Sequence, residues 1–288
     1  MIITLLTDFG MRDTYVAQMK GVILGIVPEV QIVDLTHHIP PQDLVAAALT
    51  LDAAIDAFPD GTVHVAVVDP GVGSDRAAIA VETDHFVGVG PDNGLFCEVL
   101  RRQKILRAVR LTHAAYHRKP VSATFHGRDI FAPVAAHVAA GTSLEELGET
   151  VCDLIRLDLP QPETIVGGLR LHVLHIDTFG NLISNLRRDQ LDMQIHAVIE
   201  VAQKRITGIC KTFGDVQPDE LVAYFGSSHR LEIAIRNGHA ARQLGVQRGD
   251  TFDLKFKYVT RQNREERGTR SEDIGPFHIA APSQFPTD

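Results

Sequence analysis

An apolar run, Val67-Val68, leads directly into Asp69-Pro70-Gly71-Val72-Gly73-Ser74-Asp75-Arg76, so a strand pattern ends in a glycine-rich turn flanked by a carboxylate and a guanidinium. Parallel strands of α/β folds present their C-terminal ends to ligands, and glycine lets backbone approach a substrate closely, so Asp69 and Arg76 are expected to face a pocket. Taken alone, the stretch would serve equally well as a tight turn carrying a surface ion pair. Two further segments place ionisable groups beside glycine at the end of an element: Thr4-Leu5-Leu6-Thr7-Asp8-Phe9-Gly10 and Thr124-Phe125-His126-Gly127-Arg128-Asp129-Ile130-Phe131-Ala132-Pro133. A lone Asp8 would be read as a helix cap or an Asx-turn. It is the recurrence of the pattern that points to a site.

The elements that would position these groups can be read from periodicity. Short β-branched runs alternate with helical patterns: Ile2 to Thr7, Tyr15 to Val27, Val30 to Leu35, Asp43 to Phe58 and Val63 to Val68. That is βαβαβ, which implies a largely parallel sheet flanked by helices with right-handed crossovers. Asp8, Asp34 and Asp69 each close one of the three strands, so one sheet edge carries a row of carboxylates, extended by Thr36, His37 and His38. A hairpin-like pair follows at Ala78 to Glu82 and Phe86 to Val89, then a helical stretch from Leu95 to Arg102 and a strand at Val109 to Leu111. A helical pattern begins at Asp129, with Pro133 tolerable only in its first turn, so His126 sits just before a helix N-terminus. Ser143-Leu144-Glu145-Glu146 has the form of a capping box.

From Gly168 the pattern changes to closely spaced short strands: Leu169 to Ile176, His196 to Val201, Arg205 to Phe213, Leu221 to Phe225, Leu231 to Ile235 and Thr251 to Phe256, with a short helix at His239 to Leu244. These predict a smaller antiparallel β-barrel-like domain. The expected organisation is an N-terminal α/β catalytic domain over 1–159, a Pro-rich linker over 160–167, a C-terminal β domain over 168–257 and a polar tail over 258–288.

Composition bounds the function. The 288 residues are 44% hydrophobic and 22% charged, ordinary for a soluble globular protein. A formal charge of -8 argues against a general nucleic-acid binder, which needs clustered Lys and Arg. The three cysteines, Cys97, Cys152 and Cys210, are far apart and lack metal or redox spacing, which suits reduced thiols and no disulfide. The N-terminus opens on a strand pattern rather than a leader, and no apolar run reaches about eighteen residues. A cytoplasmic protein without membrane partners is expected. Trp is absent, so stacking on a nucleobase would fall to Phe or Tyr. Gly88-Val89-Gly90 lacks the third glycine of a dinucleotide fingerprint, and there is no Walker loop or Gly-x-Ser-x-Gly elbow.

Together with Gly90-Pro91-Asp92-Asn93-Gly94, Asp177-Thr178-Phe179-Gly180-Asn181-Leu182 and Gly226-Ser227-Ser228-His229-Arg230-Leu231-Glu232-Ile233-Ala234, these segments resemble the S-adenosyl-L-methionine (SAM) hydroxide adenosyltransferases, relatives of the SAM-dependent fluorinating and chlorinating enzymes. The resemblance runs in matching order from Met1 to about Lys257. It implies metal-independent hydrolysis of SAM to adenosine and L-methionine, with no cofactor. In SAM the C5′ carbon is bonded to a sulfonium, a good leaving group, so in-line attack chiefly needs a positioned, dehydrated nucleophile. By resemblance, Asp69, Arg76 and His126 form a trio around the attacking water, Asp8 accepts from the ribose hydroxyls, Asp177 pairs with the methionine ammonium, and Asn181 meets an adenine edge. Ser227, Ser228 and Glu232 line the other side. The halogenating relatives lack the carboxylate corresponding to Asp69, which would repel a halide, so water is the expected nucleophile. The resemblance also implies a homotrimer with interfacial active sites. Ser74 stands where threonine is common in the family, and the single Arg76 where two arginines often adjoin.

Two other readings use the same residues. Asp8, Asp34, His37, Asp69, His126 and Asp129 could ligate a binuclear metal centre for phosphoester hydrolysis. Against this, Arg76 and Arg128 flank the site, and a guanidinium beside a divalent cation is repulsive. A non-catalytic nucleoside-binding module would keep Asp8 and Asn181 but would not require Asp69, Arg76 and His126 together.

Overall fold

The computed structural model describes residues 1–192 and 196–256. The tail at 258–288 therefore lies outside the described residues. The chain divides into a first compact unit, Met1–Asp158, and a second that begins at Leu159.

In the first unit the elements run β1 (Ile2–Thr7), α1 (Tyr15–Ile26), β2 (Gln31–Thr36), α2 (Leu44–Ala54), β3 (Thr62–Val67), β4 (Ala78–Thr83), β5 (Phe86–Pro91), α3 (Cys97–Leu100), β6 (Ile105–Leu111), α4 (Ala132–Ala139) and β7 (Gly148–Thr150). They form one sheet in the order β2-β1-β3-β5-β4-β6-β7. The pairings from β2 through β1 and β3 to β5 are parallel, and those from β5 through β4 and β6 to β7 are antiparallel. β3, Thr-Val-His-Val-Ala-Val, is buried along its whole length, as a central strand covered on both faces must be. One face packs Ile3, Leu5, Val63, Val65 and Val67 against α1 and α4, and the other packs Leu6, Ala66 and Val68 against α2 and α3. Asp43 caps α2, its carboxylate accepting the Ala46 N–H at 2.9 Å.

The helical pattern expected from Asp129 is in two parts. Gly127–Phe131 is a π-turn, with the Ala132 N–H bonded back to the Gly127 carbonyl, and α4 follows with Pro133 in its first turn. Such π-turns concentrate at functional sites because they displace side chains from ordinary helical register. The Ser143 capping box forms, but it caps only a single 3₁₀ turn, Leu144–Glu146.

The second unit holds β8 (Glu163–Ile165), β9 (Gly168–Ile176), β10 (Leu182–Arg187), β11 (Ala197–Val201), β12 (Lys204–Thr207), β13 (Leu221–Phe225), β14 (Arg230–Ile235), α5 (Ala240–Leu244) and β15 (Thr251–Phe256). The strands are antiparallel in the order β12-β11-β15-β9-β10-β14-β13, with β8 paired to β9. The sheet curls towards a barrel: just past β12, the Cys210 N–H donates to the Ala223 carbonyl of β13 at 2.8 Å, joining the two ends of the order. Residues 163–165, read from sequence as part of a connection, thus belong to the sheet. Among the described residues no helix is long and apolar enough to cross a membrane.

Candidate active site

The parallel half of the first sheet sends β1 and β3 out at the same edge, with Asp8 directly after β1 and Asp69 two residues beyond β3. Asn93 braces the second of these exits, its amide donating to the Val68 carbonyl at 2.8 Å. Beyond it the glycine-rich turn folds back so that the Arg76 side chain returns to Asp69. Arg76 Nε donates to Asp69 Oδ1 and Oδ2 at 2.9 and 3.0 Å, and Nη2 to Oδ2 at 2.5 Å. The same Nη2 lies 2.7 Å from His126 Nδ1. The Arg76 and Asp69 side chains are only 9% and 5% exposed, so solvent screens this pair weakly. The guanidinium is further confined by the buried Phe131 ring, 5.3 Å from its carbon.

An arginine has no acceptor, so His126 Nδ1 must accept from Nη2, and the ring proton of the neutral imidazole sits on Nε2. Burial, and then the Arg76 guanidinium, push the His126 imidazolium below its ordinary range, while Asp69 and Asp129 pull weakly the other way. The ring is therefore held neutral.

Gly73 explains how the loops meet. It adopts φ +79°, and a Cβ there would lie 2.5 Å from the Ala123 carbonyl oxygen. The close backbone approach that this glycine permits joins the Asp69–Arg76 turn to the segment carrying His126.

Asp8, Asp69 and His126 line one cavity of about 390 Å³, together with Phe9, Tyr15 and Phe125. Arg76 stands behind Asp69 and His126, bonded to both. Asp8 is itself held, accepting the Gln42 N–H at 2.9 Å. Sequence reasoning required Phe or Tyr for any stacking but did not single out Phe9, Tyr15 and Phe125, whose rings meet at 5.2 to 5.9 Å. The available signal was adjacency: Phe9 follows Asp8, and Phe125 precedes His126.

The remaining acidic and imidazole groups of the row are tied elsewhere. Asp34 takes Lys20 Nζ at 2.6 Å and His37 Nε2 at 3.0 Å, and Thr7 Oγ1 is 2.8 Å from His37 Nδ1. Asp129 is fully buried and receives Arg128 Nε at 2.7 Å and Nη2 at 2.8 Å. Among the described residues no three or more His, Cys, Asp or Glu side chains are grouped to hold a metal ion.

In the second unit, the turn after β9 is organised by Asp177, whose Oδ1 accepts the N–H groups of Phe179 and Asn181 at 3.0 and 2.8 Å, while Oδ2 accepts from the Asn181 amide at 2.8 Å. Gly180, at φ +86°, packs where a Cβ would strike His239. Phe179 is left 76% exposed at the tip of this fixed turn. Glu232 on β14 lies opposite Tyr224 on β13 and accepts its hydroxyl at 2.7 Å. Burial first, and then the charge of Asp177, raise the Glu232 carboxyl, and the hydrogen bonds from Tyr224 and Ser228 oppose that shift. Ser227 and Ser228 form the turn between the two strands. The substrate-binding candidates of this unit are thus brought together around Asp177 and Glu232.

Comparison with known proteins gives the following. The SAM hydroxide adenosyltransferase N-terminal domain matches residues 3–148, and the SAM hydroxide adenosyltransferase C-terminal domain matches residues 171–253. An (R)-S-adenosyl-L-methionine hydrolase of Thermus thermophilus is 42% identical over 253 residues, covering 85% of this chain and 95% of the relative. One from Salinispora tropica is 39% identical over 251 residues, covering 86% and 95%. A fluorinase of Nocardia brasiliensis is 28% identical over 289 residues, covering 88% and 96%. Among solved structures, an uncharacterized conserved protein from Thermotoga maritima matches with a TM-score of 0.81 at 35% identity, covering 88% of this chain and all of the other.

Proposed function

Because the chain belongs to the SAM hydroxide adenosyltransferase family, we infer that it hydrolyses S-adenosyl-L-methionine to adenosine and L-methionine by attack of water at C5′. The observation that carries the reading is the single Arg76 Nη2 shared between Asp69 and His126, both of which face the cavity that Asp8 also lines.

The hydrogen bonds divide the labour. With Nδ1 occupied as an acceptor, His126 presents Nε2–H and can only donate to the nucleophile. Asp69 keeps free lone pairs on oxygens already oriented by Arg76, so it accepts the water proton. As the C5′–O bond forms and the C5′–S bond breaks, the electron pair of the latter goes to methionine sulfur, and the sulfonium charge is lost. Phe9, Tyr15 and Phe125 keep bulk water away from the reacting carbon. Asp8 takes the ribose hydroxyls, for which a carboxylate is a matched acceptor. Asp177, Asn181, Ser227, Ser228 and Glu232 hold the methionine and adenine ends. No metal or cofactor is needed for the step, and three of the carboxylates that could ligate one, Asp69, Asp34 and Asp129, already have cationic partners in Arg76, Lys20 and Arg128. The working enzyme is a cytoplasmic homotrimer.

Incubating the purified protein with SAM, with and without a chelator, and following adenosine by chromatography tests this. Chelator-resistant adenosine release is expected. Chelator-sensitive hydrolysis of a phosphate ester would favour the metal-centred reading, and tight nucleoside binding without turnover the module. Asp69→Ala and His126→Ala should depress turnover more than adenosine binding, whereas Asp8→Ala should weaken binding first. The opposite ordering would mean that the roles are misassigned.

A further inference from the structure

We propose that Asp129, clamped by Arg118 and Arg128, is a positioning residue that fixes His126 against Arg76. The proposal rests on the hydrolase reading above.

Asp129 is 0% exposed and does not itself line the cavity. Its carboxylate receives Arg128 Nε and Nη2 at 2.7 and 2.8 Å, Arg118 Nη1 at 3.3 Å and the Ser122 N–H at 2.9 Å. Its backbone is engaged as well: the Asp129 N–H donates to the Phe125 carbonyl at 3.1 Å, and its carbonyl accepts the Arg118 N–H at 2.9 Å. One residue therefore ties both ends of the 118–129 segment, and His126 lies between the ties. Arg128 extends the brace outward, with Nη1 on Gln18 Oε1 of α1 at 2.9 Å and its guanidinium 4.9 Å from the centre of the Phe125 ring. Asp129 itself stands within the π-turn Gly127–Phe131, which begins directly after His126.

A buried carboxylate under two guanidinia is a poor device for stability alone, because desolvation consumes most of the Coulomb attraction and well-packed apolar residues do as well. It is a good device for holding a backbone at one place. Placement matters here because His126 Nδ1 must meet a donor that is already bonded to Asp69, and a shift of about 1 Å in such a group costs on the order of a hundredfold in rate.

The electrostatics provide a readout that a purely structural role would not move. The groups facing His126 are Asp69 and Arg76 from the loop after β3, His117 from the segment after β6, and Asp129 from its own turn. The Asp129 charge favours the protonated imidazole, so removing it makes protonation of His126 harder. In Asp129→Asn, kcat for adenosine release should fall about tenfold to a hundredfold with KM changed less than about twofold, and the acid limb of the kcat profile should move to lower pH. A normal kcat, or a reduced kcat with an unmoved acid limb, would overturn the proposal. Should Asp129→Asn not fold, Arg128→Lys keeps the charge but loses the fork, and should lower kcat severalfold at unchanged KM. A wild-type rate in that variant would also overturn it. Wild-type protein that released no adenosine would refute the hydrolase reading instead.

Discussion

Replacing Arg76 by lysine separates its charge from its geometry. Arg76 makes three contacts to Asp69 and one to His126, all between 2.5 and 3.0 Å, from two nitrogens of one rigid plane. A lysine ammonium is a single point, so it can stay with the carboxylate or approach the imidazole, but it cannot reproduce the fork. The charge survives and the orientation of two partners is lost. Hydrogen bonds to charged groups are worth about 1.5–3 kcal/mol each, and with both side chains nearly buried little of that is screened. Losing roughly 3 kcal/mol of orientation in the transition state corresponds to about a hundredfold in kcat, at about 1.4 kcal/mol per decade. Arg76 stands behind Asp69 and His126, so adenosine affinity should be almost unchanged. Single-turnover adenosine release, with nucleoside affinity by calorimetry, gives both quantities. A lysine variant within threefold of wild-type kcat would refute the argument that the guanidinium aligns both partners.

Gly73→Ala should destabilise the first unit by about 1–3 kcal/mol, because the φ of +79° is strained for alanine and the new Cβ would meet the Ala123 carbonyl. The expected drop of several degrees in Tm should come with lower kcat, since Ala123 is close in sequence to His126; an unchanged melting curve would contradict the contact. The kcat profile should have an acid limb with its midpoint below pH 6.5, because burial and Arg76 depress His126 and only the neutral ring can accept at Nδ1. Sign follows directly: activity is complete above that pKa and is lost as pH falls through it. A midpoint above 6.5 would mean that the ring is stabilised as a cation.

Much of this architecture was legible because it depends on local pattern. The βαβαβ order, the hairpin at 78–91 and strands β13 and β15 follow from alternation and turn residues. β10 was missed for a physical reason. Its residues Ser184, Asn185 and Arg187 are polar yet buried, so the strand shows neither alternation nor an apolar run. Asn185 is accommodated by partners remote in sequence, accepting the His172 N–H and donating to the Pro160 carbonyl. In the site, Asp8, Asp69, Arg76 and His126 could be named because glycine-containing segments at element ends carry them and the family resemblance gives them roles. The tautomer of His126, the clamp on Asp129 and the aromatic wall could not, since each is a relation between segments that meet only in the fold. The capping signal at Ser143 was sound, but a cap fixes where a helix begins and not how far it runs.

The contact between Gly73 and Ala123 bears on any attempt to exchange nucleophile preference between hydrolases and halogenases. Where two strips of main chain touch, neither has a flexible side chain with which to absorb a change of length or path in the other. Transplanting the 69–76 turn alone would carry a misfit into the recipient; the 122–126 strip has to travel with it as a matched pair.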